Sequence, residues 1–387
     1  MTQPTRERIV VGCMTGTSLD GLDVALVRIV GTGLEMSAEY LGHVSRDLPD
    51  ILRETLMHLA SGGAAEPVVY MRAARELGEL HADSVRHLLE ETKGPKPEFV
   101  VAHGQTIWHD PRPRKGDAEA PNLGPMSWQL FDPWPVVKRI GVPVCYDLRQ
   151  ADLVAGGEGA PLTPLADWVM YREKADLIVN LGGVMNFTWW PLDSSMPSYI
   201  EGGDTCLCNL LLDGFAQQLL GEPYDRDGQA AARGKLVESI LYDFQDRFEV
   251  LGAGERSLGR EDLEDGAIKS LIAAHPGVTP PDLLFNAIAC IGQSVGEVFE
   301  GMAAQRLVLA GGGVRNKTLV RYIRDVIEGD SFCEGAVLSD DLGIPCEARE
   351  AMGFAVLGAL SQDGVPVSLP QVTGAKDPGV AGVWAGV

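Results

Sequence analysis

Three features of this sequence predict an α/β protein of two domains. The chain has 387 residues, about the length of two domains of ordinary size. Twice, a short run of aliphatic and β-branched residues meets a glycine turn and a second such run follows. The first case is IVVGCMTGTSLDGLDVALVRIV from Ile9 to Val30, and the second is ADLIVNLGGVMNFTWW, residues 175–190. The third feature is RLVLAGGGVRNKTLVRYIRDVI, which reads as strand (Leu307 to Ala310), three glycines, then helix. Strands of this composition are buried strands.

The opening hairpin carries a run of hydroxyls between its arms. Gly12, Gly16 and Gly21 flank Thr15, Thr17 and Ser18, and Asp20-Gly21 is a turn signal. Such a loop can aim backbone N–H groups and hydroxyl donors at a phosphate. An ordinary hairpin whose Ser and Thr satisfy their own turn is the other reading. It is no Walker loop, because no Gly-Lys-Ser/Thr follows and a strand comes next.

Composition narrows the classes of function. An apolar share of 45% and a charged share of 22% are those of a soluble globular protein. A net charge of −22 argues against a nucleic-acid partner. No apolar run approaches a membrane span. The start, MTQPTRER, leads straight into a strand, so no secretory signal is expected. Seven scattered cysteines point to reduced thiols and a cytoplasmic location. Cys206 and Cys208 have no second pair or histidine cluster to join, so a zinc site is not expected there.

Residues 46–93 read as helical, with Ala73, Leu77, Leu80 and Val85 at helical spacing and His81 and His87 on the polar side. Next comes an apolar strand, Phe99 to Ala102, ending in His103, Gly104, Gln105 and Thr106. Polar groups at such a strand end gather around ligands in α/β proteins. Gln105 and Thr106 suit sugar hydroxyls or an acyl group, or simply cap the loop. Residues 110–135 read as irregular. Asp147 and Arg149 lie two apart and would share one strand face. Arg149 can hold a carboxylate or phosphate through two bonds, or it can serve a structural ion pair.

Asp204 and Thr205 follow two glycines and precede an apolar helix from Leu207 to Leu220. Asp204 is then either an N-cap or a general base held at the positive helix end. Residues 224–234 form a charged turn, and 281–303 an amphipathic helix. The triple glycine Gly311, Gly312 and Gly313 lets a flat ring or ribose approach the backbone. Residues 343–360 form a helix with Glu347 and Glu350 near its start, and the tail from Asp363 reads as irregular.

Taken in order, two glycine hairpins, an Asp before a helix and a strand-GGG-helix resemble the two-lobed ATPase architecture of sugar kinases, actin and heat-shock ATPases. The segments GCMTGTSLDGLDVAL, HGQTIWH, DLRQADLVAGGEGAPL, NLGGVMNFT, YDRDG, AGGGVRN and EAREAMGFA closely resemble the anhydro-N-acetylmuramic acid kinase family. The resemblance covers nearly the whole chain. It implies two lobes, each an RNase H-like mixed sheet flanked by helices, with the active site in the interdomain cleft. It implies domain I at 1–146 joined by 348–387, and domain II at 147–347. It also implies ATP and Mg²⁺, a small-molecule anhydrosugar as substrate, and a homodimer. In such a family member, water opens the 1,6-anhydro bridge while O6 takes the γ-phosphoryl group of ATP. The product is N-acetylmuramate 6-phosphate, a step in peptidoglycan recycling.

Carried over by motif, the catalytic aspartate falls on Asp204. The ATP loop falls on Gly12, Cys13, Met14, Thr15, Gly16, Thr17, Ser18 and Leu19. The adenosine side falls on Gly182, Gly183, Gly311, Gly312, Gly313 and Asn316, and the sugar contacts on Gln105, Thr106, Arg149 and Glu350. No metal-ligand set is legible. The chain departs from the family pattern beside these positions. Cys206-Leu207-Cys208-Asn209 replaces Gly-Pro-Gly-Asn, Glu158 replaces a Gln, and Thr15 replaces a Ser. Arg256 to Glu261 is a reduced form of a Lys-Ser-Thr-Gly-Arg-Glu motif. These changes leave two further readings: the same chemistry on levoglucosan, which lacks the lactyl and N-acetyl groups, and a non-catalytic relative that binds nucleotide or sugar.

Overall fold

A computed structural model describes residues 6–16, 19, 21–111, 124–192, 194, 196–248, 263, 266–299, 304–328 and 335–387. The chain divides into two compact units. One comprises residues 1–170 and 347–387, the other residues 171–346.

The first unit is built on a six-stranded sheet. In chain order its strands are β1 (Glu7–Thr15), β2 (Gly21–Val30), β3 (Ser37–Asp47), β4 (Phe99–Ala102), β7 (Val144–Tyr146) and β13 (Val383–Ala385). Their spatial order is β13-β7-β4-β1-β2-β3. The first three form an antiparallel meander, and β4 and β7 then add in parallel on the other side of β1. A separate ribbon pairs β5 (Gln105–Asp110) with β6 (Met126–Leu130).

Side chains alternate along β1, and each face has its own cover. Val11 and Cys13 pack with Ala82, Val85 and Leu88 of the long helix α2 (Pro67–Thr92) and Val136 of α3 (Trp134–Ile140). On the other face, a Cβ at Gly12 would collide with the carbonyl oxygen of Ala351. Only glycine lets β1 lie this close to the helix α11 (Arg349–Gln362), of which every residue from Ala351 to Ser361 is buried. A shorter helix, α1 (Asp50–Ala60), packs Leu52, Leu56 and Leu59 with Leu77, Ile107 and Leu130.

In the second unit, β8 (Leu177–Leu181), β9 (Val184–Trp189) and β10 (Glu201–Leu207) form an antiparallel meander. The strands β11 (Leu307–Ala310) and β12 (Ala336–Leu338) run parallel to β8, giving the order β10-β9-β8-β11-β12. This is the order of the first sheet without its outermost strand. Each unit is therefore a mixed sheet of RNase H-like topology flanked by helices. One face packs against α6 (Asn209–Leu220), α7 (Glu238–Arg247), α9 (Pro280–Phe299) and α10 (Lys317–Glu328).

Several sequence expectations are corrected. Residues 37–47 are an edge strand where the sequence shows no clear element, and 126–135, expected to be irregular, hold β6 and the start of α3. The tail is not irregular throughout, because β13 closes the first sheet against β7. His81 is fully buried rather than on the polar face. Residues 147–170 belong to the first unit in this division. This segment is tied to the first unit. Asp152 accepts from Thr373 Oγ1 at 2.6 Å, and Glu158 N–H donates to the Thr373 carbonyl at 2.8 Å. Asp167 forms a fully buried ion pair with Arg349.

Candidate active site

In the first unit the polar residues predicted at strand ends converge. Thr15 is the last residue of β1, and its hydroxyl donates to the Gly104 carbonyl at 2.7 Å, joining the hairpin to the end of β4. Gln105 is 1% exposed, and its Nε2 donates to the Gly16 carbonyl at 3.1 Å. Its Oε1 is buried with no hydrogen-bond partner among the described residues. A buried acceptor without a donor costs about 1–3 kcal/mol and is a natural place for a ligand hydroxyl to donate. Thr106 Oγ1 accepts from Gln129 Nε2 across the β5–β6 ribbon at 3.1 Å.

Arg149 does not share a strand face with Asp147. The strand β7 stops at Tyr146, and Asp147 adopts the left-handed region at φ 56°. Arg149 is the N-cap of a short helix, α4 (Gln150–Val154). Its guanidinium is held from two sides. Nε–H and Nη2–H donate to His103 Nε2 at 3.1 and 2.9 Å, and Nη1–H donates to the Gly159 carbonyl at 2.6 Å. Gly159 N–H in turn donates to the buried carboxylate of Asp152 at 2.7 Å. Burial foremost, and the neighbouring Arg149 charge second, hold the His103 imidazole neutral, its pKa well below the ordinary range.

Glu350 sits half-buried in the first turn of α11, where a carboxylate favours the positive helix end. Phe354 lies four residues on, on the same helix face. The Phe354 ring is 4.9 Å from that of His103. Gln105, Thr106, Arg149 and Glu350 all lie in the first unit, with Arg149 bonded to His103 and Glu350 one turn before Phe354 on α11. His103 has no role in the sequence reading; its place at the end of an apolar strand was the available signal.

The hydroxyl loop is placed in part. Gly12 and Cys13 lie inside β1, Gly12 against α11 and Cys13 in the core, so both have packing roles. Met14 and Gly16 are partly exposed. Leu19 turns the chain at φ 58° and buries its side chain among Leu48, Leu52 and Ile107. Thr17 and Ser18, and the Arg256 to Glu261 motif, lie outside the described residues.

In the second unit Asp204 is not at a helix entrance. It lies half-buried in β10, and α6 starts only at Asn209 after an N-cap at Cys208. The register slips between Asp204 and Cys206, leaving Thr205 as a bulged residue whose hydroxyl donates to the Met185 carbonyl at 2.9 Å. Bulges of this kind re-aim a neighbouring side chain. Cys206, Leu207 and Cys208 are all buried, so the replacement of Gly-Pro-Gly by bulkier residues is absorbed into the core.

The glycines of this unit divide by role. A Cβ at Gly311, where φ is 82°, would meet Asn180 Oδ1 at 2.5 Å, and one at Gly313 would meet Leu181 Cβ at 2.7 Å. Both are demanded by close approach to the end of β8. Gly312 is exposed and a Cβ there would find only Asn209 Nδ2 at 4.0 Å. Gly182 and Gly183 turn β8 into β9, their carbonyls accepting from the N–H groups of Asn209 and of Cys208 and Leu210. Asn316 caps α10 through Oδ1 to Leu319 N–H at 3.1 Å. Gly312 alone of the triple glycine presents bare backbone outward.

A family model described as anhydro-N-acetylmuramic acid kinase matches residues 8–385. The anhydro-N-acetylmuramic acid kinase of Salinibacter ruber (strain DSM 13855 / M31) is 32% identical over 381 residues, spanning 95% of this chain and 94% of that protein. Solved structures with some likeness include the activator of the 2-hydroxyisocaproyl-CoA dehydratase from Clostridium difficile with bound ADPNP. It has a TM-score of 0.44 at 11% identity, over 92% of this chain and 95% of that one. A ROK family glucokinase from Streptomyces griseus in complex with glucose and AMPPNP gives a TM-score of 0.40 at 12% identity, over 90% and 98%. No described helix is long and apolar enough to cross a membrane. The chain belongs to the anhydro-N-acetylmuramic acid kinase family.

Proposed function

We propose that this member of the anhydro-N-acetylmuramic acid kinase family uses ATP to convert 1,6-anhydro-N-acetylmuramic acid to N-acetylmuramate 6-phosphate. The observation that carries the reading is the family match over residues 8–385, nearly the whole chain. Within that frame Asp204 takes a proton from water as its oxygen attacks the anomeric carbon. The bond from that carbon to O6 breaks, and O6 takes the γ-phosphoryl group with release of ADP. Arg149 pairs with the lactyl carboxylate, and the free Oε1 of Gln105 accepts from a sugar hydroxyl. Thr106 and Glu350 complete the sugar contacts. Backbone at Gly16, Gly182, Gly183 and Gly312 faces the nucleotide. Holding the reactants in one geometry is the larger part of such catalysis.

Mg²⁺ bound with ATP would supply positive charge that offsets that of the phosphates. Among the described residues no group of three or more His, Cys, Asp or Glu side chains could hold an ion. That fits an ion carried on the nucleotide, which needs only one or two carboxylates beside phosphate and water.

Glu158 supports a second reading. It adds a carboxylate beside Gly159, the residue that Arg149 grips, and so disfavours an acidic sugar. The same chemistry would then act on levoglucosan. Coupled ADP release with Mg·ATP and anhydro-N-acetylmuramate, levoglucosan or N-acetylmuramate separates the readings. Turnover of the first alone is expected, and turnover of levoglucosan alone would transfer the assignment. Silence on all three with ATP still bound would leave a non-catalytic binding protein.

A further inference from the structure

We propose that His103 is a positioning residue that fixes the guanidinium of Arg149 through an unprotonated Nε2, so that Arg149 meets substrate already oriented. The geometry carries this. One imidazole nitrogen accepts from two N–H groups of Arg149, at 3.1 and 2.9 Å, while the Gly159 carbonyl accepts from a third at 2.6 Å. Arginine is a donor only. Nε2 must therefore be unprotonated, and the neutral ring carries its proton on Nδ1.

The seat of His103 enforces that state. The ring is buried, its own backbone N–H donates to the Cys13 carbonyl at 3.1 Å, and Phe354 of α11 packs 4.9 Å from it. An imidazolium there would lie directly against a guanidinium. An Arg side chain free in solution loses rotamer entropy when it binds a carboxylate. One held before binding loses less, which is how orientation in advance raises affinity.

The proposal rests on Arg149 binding the sugar, and its test has one arm that does not. In protein labelled with ¹⁵N at histidine and arginine, His103 should show the Nδ1–H tautomer at pH 7 with scalar coupling between its Nε2 and Arg149 Nε. An Nε2–H tautomer or an imidazolium would overturn the proposal whether or not any sugar is turned over. In the kinetic arm, His103→Leu should raise KM for the anhydrosugar about 10- to 100-fold, as loss of a bond to a charged group does. KM for ATP should not move. His103→Gln, which restores an acceptor near Nε2, should recover most of the loss. In an Arg149→Ala background, His103→Leu should add nothing. Equal losses in the Gln and Leu variants, or a matching rise in KM for ATP, would reduce His103 to a packing residue. A wild-type protein inactive on every anhydrosugar while the coupling is present would refute the proposed function and leave the held guanidinium intact.

Discussion

The two units share one strand order and use it differently. In the first, the strand ends are joined by side chains: Thr15 to Gly104, Gln105 to Gly16, Arg149 to His103 and Gly159, Asp152 to Gly159. In the second, backbone takes the larger share, although Asn209 Nδ2 also donates to the Leu181 carbonyl at 2.9 Å. Gly182 and Gly183 accept from the start of α6, and Gly311 and Gly313 press onto Leu181. Side-chain wiring places charges and acceptors in fixed directions, which suits a substrate told apart by its substituents. Bare backbone admits a flat or phosphate-bearing group with little demand on its shape. One topology thus yields a discriminating half and a permissive half, and the proposed split between sugar and nucleotide follows it.

The largest effect that tests this division should come from Asp204, the carboxylate proposed as base in the second unit. Asp204→Asn is expected to lower turnover by roughly 10²–10⁴-fold with ATP affinity nearly unchanged. Single-turnover rates and ATP titration measure the two separately. A near-normal rate would remove Asp204 from the chemistry.

A smaller pair of effects should separate the glycines of the second unit. Gly313→Ala brings a Cβ to 2.7 Å from Leu181 Cβ and 2.8 Å from its carbonyl oxygen, and should lower stability by about 1–3 kcal/mol. Gly312→Ala meets nothing nearer than 4.0 Å and should leave stability unchanged while raising KM for ATP. Urea midpoints and ATP kinetics on both variants give the comparison. If Gly312→Ala leaves KM unchanged, that backbone does not face the nucleotide.

Much of this frame was legible in the sequence, because buried strands and long helices announce themselves by apolar runs and period. That holds for β1, β2, β4, β8, β9 and β11, and for α2 and α9. The elements that were missed lack such a signal. Edge strand β3 is half-exposed and charged, and three-residue β13 gains its identity from β7, far away in the chain. In the site, candidate polar residues were legible at the strand ends, but the bonds that hold them were hidden. His103 and Arg149 are 46 residues apart, and only the fold gives the imidazole its partner. Asp204 lies in β10 rather than at a helix entrance because Leu207, which reads equally well as the start of an apolar helix, ends the strand instead.

Acid should also tell the units apart, with the smallest effect of the series. The histidines whose protonation is suppressed all lie in the first unit. Burial pushes His81 down to about 4, burial and then Arg149 push His109 to about 4, and His103 is lowered as well. Each regains an ordinary pKa of about 6.5 on unfolding. Between those values the unfolded chain binds more protons than the folded one, so stability falls as pH drops from about 6.5 towards 4. For His81, whose Nδ1–H donates to the Leu77 carbonyl at 2.7 Å, the loss between pH 7 and pH 5 should be about 1–2 kcal/mol. Hydrogen exchange at the two pH values should show protection falling further in residues 6–170 than in 171–346. His81→Phe, which keeps the ring against Phe131, should recover part of that difference. Equal loss in both units would mean that the suppressed histidines do not govern the acid response.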